Sequence, residues 1–154
     1  MKAEQFDKYM MHGHRWSQEA FIPVVLRSIF RSIEEKGSRS VPVSVISTDF
    51  RTFFAGNDER KKKSLRKHAD KDTVKVLLNI ETIDETELRK LLFKRPLGTL
   101  GNINRRRNEG YYEFIEYEKG SDVEFINVNE DIFNAYAERS KDWNRVVNDY
   151  LEAY

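Results

Sequence analysis

A chain of 154 residues with 39% hydrophobic and 12% aromatic content holds enough bulky apolar material for one folded domain and too much for a disordered segment. It has no cysteine, which excludes a disulfide framework, thiolate zinc sites and thiol nucleophiles, and it has no apolar run approaching the roughly 18–20 residues of a membrane span. The net charge of +1 hides a strong polarity: residues 1–57 carry 8 Lys/Arg against 6 Asp/Glu, residues 58–110 carry 15 against 9, and residues 111–154 carry 4 against 11, so a segment at +6 that attracts polyanions adjoins one at −7.

The stretch from Met1 to Trp16 lacks an apolar h-region, so no secretory leader is expected, and the missing disulfides fit a cytoplasmic setting. The first helix is predicted over residues 17–36. Ser17 is placed to cap it, Pro23 falls in its first turns, and Ile22, Val25, Leu26, Ile29 and Ile33 recur at three- and four-residue spacing before Gly37 stops it. Val41 to Ile46 alternates like a short strand, with Pro42 favouring a sheet edge. Thr48 to Phe54 is expected to be a short helix with Phe50, Phe53 and Phe54 on its core face. Asp58 is placed to cap a polar helix from Glu59 to about Asp70. The β-branched run from Thr73 to Ile80 predicts a strand. Asp84 and Glu87 form a capping box for a helix over 85–94 that buries Leu88, Leu91 and Leu92, followed by a turn at 95–98 and a short helix from Thr99 to Arg107. Tyr111 to Tyr117 and Val123 to Val128 read as a β-hairpin turning at Lys119 to Asp122. Asn129 caps one further helix, and Ser140 opens a last one carrying Trp143, Val147, Tyr150 and Leu151, so the tail reads as a helical hairpin. That last stripe fits core packing or a homodimer contact equally.

In order, residues 58–128 give helix, strand, helix, turn, helix and a two-stranded hairpin. This order resembles a winged helix-turn-helix domain, flanked by an N-terminal helical extension over 1–57 and the C-terminal helices over 129–154, in an α+β fold. The resemblance is one of element order alone, and it implies a DNA-binding protein, a regulator or accessory factor acting on double-stranded DNA. A helix-turn-helix sets its second helix in the major groove. The helix in that position ends in Asn104, Arg105, Arg106 and Arg107, residue types that pair bidentately with adenine or guanine and also hold phosphate. Lys94 and Arg95 sit at the turn before it, and Lys61, Lys62, Lys63 and Arg66 on the preceding helix are candidates for backbone contact. The hairpin tip is acidic, with Glu118, Asp122 and Glu124, and would repel phosphate.

No Walker loop, G-x-G-x-x-G, G-x-S-x-G or H-E-x-x-H occurs, so no catalytic residue and no cofactor is assigned. His12 and His14 lack the further ligands a metal site needs. Glu34-Glu35-Lys36 and Glu59-Arg60-Lys61 match half of a nuclease pattern, but both fall in predicted helix. Two alternatives to DNA binding stand beside it: a protein-interaction module or inhibitor acting through the acidic residues 111–154 on a basic partner, and, third, a metal-dependent nuclease.

Overall fold

The computed structural model describes residues 2–11, 16, 19–101, 113–118, 120 and 122–154. Its architecture is built around one helix, α2 (Phe21–Lys36). Ten of the 16 residues of α2 are buried, so it must be covered on most of its sides. The cover comes from α3 (Val43–Phe54), α8 (Glu130–Ala153), α7 (Pro96–Leu100) and β1 (Ser40–Pro42). The expected cap Ser17 lies outside the described residues; the start of α2 is instead held by the Glu19 carboxylate, which accepts the Ile22 N–H at 3.1 Å. Gly37, with φ of 63°, closes the other end in the left-handed conformation that glycine adopts without strain, its N–H bonded to the Ile33 carbonyl at 2.8 Å.

The class is α+β: mostly helical, with one three-stranded antiparallel sheet in the order β1-β3-β2. β2 (Ile115–Glu116) pairs with β3 (Phe125–Val128), Ile115 opposite Val128, so the expected hairpin forms, though its paired part is short. β1 lies on the far side of β3, with Val41 opposite Ile126, and Pro42 sits on an edge strand as its missing N–H requires. The expected strand over 41–46 stops at Pro42, because Val43, Ile46, Ser47, Phe50, Phe53 and Phe54 are spaced for one buried helical face and α3 begins at once. That face outweighs the local alternation of valines.

The strand expected over 73–80 is a helix, α5 (Lys71–Leu78). Asp70 caps it, accepting from the Thr73 amide at 3.3 Å and the Thr73 hydroxyl at 2.8 Å. The buried positions Thr73, Val76, Leu77 and Ile80 follow a helical period, and no strand of the described sheet lies beside them. Before it, α4 (Asp58–Leu65) is capped by Asn57 rather than Asp58, Asn57 accepting from the Arg60 N–H at 3.0 Å. The capped helix over 85–94 is observed as α6 (Glu85–Lys94), with the Asp84 side chain accepting from the Thr86 N–H at 2.8 Å. The expected turn at 95–98 is occupied by α7, which starts at Pro96, so Thr99 lies inside a helix and bonds back to the Arg95 carbonyl instead of capping one. The rest of the predicted 99–107 helix lies outside the described residues beyond Gly101.

The tail is one helix of 24 residues, not a hairpin. Asn129 caps it as expected, and it contains neither glycine nor proline, so Ser140 has nothing to interrupt. Trp143 and Val147 are fully buried in the chain's own core, so core packing accounts for the stripe. Phe6 packs edge-on to Trp143 at 4.8 Å from an N-terminal helix, α1 (Lys2–Met11), which is not among the elements expected from the sequence. The Trp143 indole donates to Asp7 at 3.0 Å, tying the two ends of the chain together.

Leu91 is 3% exposed on the inner face of α6. Leu91→Ala is expected to lose about 2–5 kcal/mol in urea unfolding, and a loss below about 0.5 kcal/mol would contradict this packing. Burial pushes the Glu19 carboxyl up to about 7 from an ordinary 4.5, against the opposing pull of the Ile22 and Phe21 amides. The folded state therefore holds a proton more tightly than the unfolded chain, and stability is expected to fall as pH rises from 4.5 to about 7 by on the order of 3 kcal/mol. Glu19→Gln should remove that fall, measured as the difference from wild type in melting curves taken across the window. Parallel curves for the two proteins would contradict it.

Candidate nucleic-acid interface

The structure separates the candidate cations into those consumed by the fold and those presented to solvent. Lys61 is consumed. It is 5% exposed, and its amine donates to the Glu81 carboxylate at 2.7 and 3.0 Å. Glu81 also accepts the Gly56 N–H at 2.7 Å, and these bonds, that from Lys61 foremost, hold its carboxyl down at about 2. Lys61 thus ties α4 to the turn after α5, with its stem packed beneath the helix. Arg95 is consumed too: its guanidinium is bonded to Asp70. Partial burial opposes ionisation of Asp70, yet the two Thr73 bonds and Arg95 together hold its carboxyl at about 2. Lys94 keeps an exposed amine 3.9 Å from both Asp70 and Asp72. A surface pair of that length is weak and can yield to a phosphate.

Lys62 and Arg66 are exposed on α4 and just past its end, and no ion pair engages either among the described residues. Lys63 is half-buried, its amine 4.5 Å over the Tyr154 ring. Asn104, Arg105, Arg106 and Arg107 lie outside the described residues.

Sequence reasoning missed a second cationic group. The Arg60 guanidinium stacks 4.1 Å over the Phe53 ring and donates to the Phe53 carbonyl at 2.9 Å, and the Arg27 guanidinium lies 5.6 Å from the same ring. Burial lowers the Arg27 pKa, and the like charges of Arg31 and Arg60 lower it further, against the attraction of Asp49. Arg27 and Arg31 stand one turn apart on the uncovered edge of α2, opposite Lys141 and Arg145, one turn apart on α8. The spacing of four in each pair is the signal in the sequence that points to this group.

Around the hairpin the sign reverses. Glu113, Glu116, Glu118, Asp122 and Glu124 are all exposed there, and Arg39 and Lys2 reach only two of them, at 3.2 and 3.4 Å. Among the described residues no three His, Asp or Glu side chains gather as metal ligands; His12 and His14 lie outside them. Both nuclease-like triplets lie on helices, Glu34 to Lys36 on α2 and Glu59 to Lys61 on α4. No helix of the described chain is long and apolar enough to cross a membrane. No protein-family model, no curated protein and no solved structure matches this chain.

Lys61→Ala should lower the melting temperature clearly, since it removes a buried tie and its packed stem, while Lys62→Ala should change stability by no more than about 0.5 kcal/mol. Equal effects in differential scanning fluorimetry would show that the two lysines are not sorted in this way.

Proposed function

We propose that this protein binds double-stranded DNA as a winged-helix regulator or accessory factor, with the winged-helix elements in a different register from the one expected over 58–128. The observation that carries the reading is the strand order β1-β3-β2, both pairings antiparallel. In a winged helix the strand after the first helix pairs with the second strand of the hairpin. The elements α2, β1, α3, α6, β2 and β3 follow that course, with α4 and α5 inserted before α6 and α7 after it, and α3 packs on α6.

In this register α6 stands where the groove-facing helix would be, with Lys90 and Lys94 exposed on it, Lys90 in a surface pair with Glu87 at 3.3 Å and Lys94 3.9 Å from Asp70 and Asp72, surface contacts that phosphate can displace. Lys62, Lys63 and Arg66 supply further backbone contacts, and Asn104, Arg105, Arg106 and Arg107 precede the hairpin in sequence as the candidates for base readout. The acidic hairpin tip stays off the DNA. A second reading is favoured by one observation: Phe125 is 52% exposed beside the acidic side chains of the hairpin, a surface suited to a basic protein partner.

Fluorescence anisotropy with duplex DNA at several salt concentrations tests the proposal. With about four to six phosphates neutralised, log affinity should fall with log salt at about −0.9 per phosphate. The double variant Arg105→Ala/Arg106→Ala should weaken binding by about 1–3 kcal/mol per base contact and flatten the preference for specific over scrambled duplex, whereas Lys62→Ala/Arg66→Ala should weaken both duplexes alike. A flat salt response, or unchanged binding in both variants, would transfer the assignment to the acidic surface.

A further inference from the structure

α2 and α8 lie side by side, with Phe30 packed against Tyr136 at 5.4 Å and Trp143 at 6.2 Å. Their polar edges meet solvent along the same line, and a groove of about 530 Å³ opens there. Its walls carry Arg27 and Arg31 from α2 and Lys141 and Arg145 from α8, against one lining carboxylate, Glu34. That volume is within the range of small-ligand sites, about 300–1,000 Å³.

The lining carries four cations against that one carboxylate. Glu34 accepts a hydrogen bond from the Tyr136 hydroxyl at 2.8 Å, and Asp49, the acid that favours the Arg27 charge, accepts from Ser28 at 2.6 Å. Asp142 holds only Arg145, at 3.3 Å, in an exposed pair three residues apart. Arg31 and Lys141 are exposed with no ion pair among the described residues. Arg27 is partly buried beside Arg31, one turn away on the same groove wall. The groove's polar floor is also set in place: the Asn144 amide donates to the Tyr136 hydroxyl at 2.9 Å and to the Ser140 carbonyl at 2.8 Å.

We propose that the α2–α8 groove binds a phosphate-bearing small molecule of nucleotide size, its phosphates clamped between Arg31 and Arg145. The arginine fork matches phosphate oxygens bidentately, Lys141 adds a point charge, and the neutral side chains of Ser140 and Asn148 face the uncharged remainder of the ligand. A groove lined by side chains from two helices suits a compact anion better than a rigid duplex. This site does not depend on the DNA-binding proposal.

Isothermal titration calorimetry of the full chain with pyrophosphate, ADP and adenosine, at about 0.15 M salt to suppress diffuse attraction, tests it. The expected result is one saturable site for ADP or pyrophosphate, none for adenosine, and affinity at least about tenfold weaker in Arg31→Gln/Arg145→Gln, whose exposed positions leave the fold intact. Duplex DNA affinity of the same variant should stay within about twofold. No saturable binding of either anion at about 1 mM, or equal affinity in the variant, would overturn the proposal. So would loss of duplex binding in the variant, since the groove would then belong to the DNA surface.

Discussion

A helix with ten buried positions out of 16 cannot stand at a surface, and the placement of α2 follows from that requirement. It is satisfied from four directions, by α3, α7, α8 and β1. Each neighbour is held by the demand of α2 for apolar contact as much as by its own local preferences. β1 is brief because the chain must return to α2 as α3. The tail continues as one helix because α2 offers it a continuous seam, with Phe30 meeting Tyr136 and Trp143 in turn. The start of α2 is capped by a carboxyl, Glu19, that burial keeps reluctant to ionise, so the most covered element has a pH-sensitive end.

The same burial shapes the distribution of charge. With so little of α2 uncovered, Arg27 and Arg31 occupy the strip that remains, beside a helix whose own polar edge is cationic. Elsewhere the fold uses cations as ties: Lys61 to Glu81, Arg95 to Asp70, and Arg51 to the carbonyls of Ile80 and Ile83 at 2.7 and 2.9 Å. A count of basic residues in the middle segment therefore overstates what a polyanion can reach. The proposed DNA surface rests on the smaller set that stays outside, and the groove rests on a different set.

What the sequence made legible was what depends on neighbours in the chain. Helices α2 and α6, the Phe50, Phe53 and Phe54 face, the hairpin and the Asn129 cap all come from local spacing and capping chemistry. Residues 73–80 were misread because Thr73, Val74 and Val76 satisfy strand preference as well as a helical period; the absence of a strand beside them and the Asp70 cap decide the matter. The spacing of Phe6, Tyr9 and Met10 carries a helical signal for α1 as well. The burial of Lys61 was not legible, since its partner lies 20 residues away and is brought near by two turns. Nor was the groove, which exists only once α2 and α8 are paired.

The central claim is that the exposed cations of α4 and α6 and the basic residues of 102–112, and not the basic segment as a whole, meet nucleic acid. Backbone amide shift mapping of ¹⁵N-labelled protein with a short duplex at low salt tests it most directly. The account predicts perturbations concentrated on the exposed side of α4, on α6 near Lys90 and Lys94, and in residues 102–112, with the amides of the hairpin and the N-terminal part of α8 unmoved. Perturbations confined to the acidic hairpin, or spread evenly over every basic residue including Lys61 and Arg95, would contradict it.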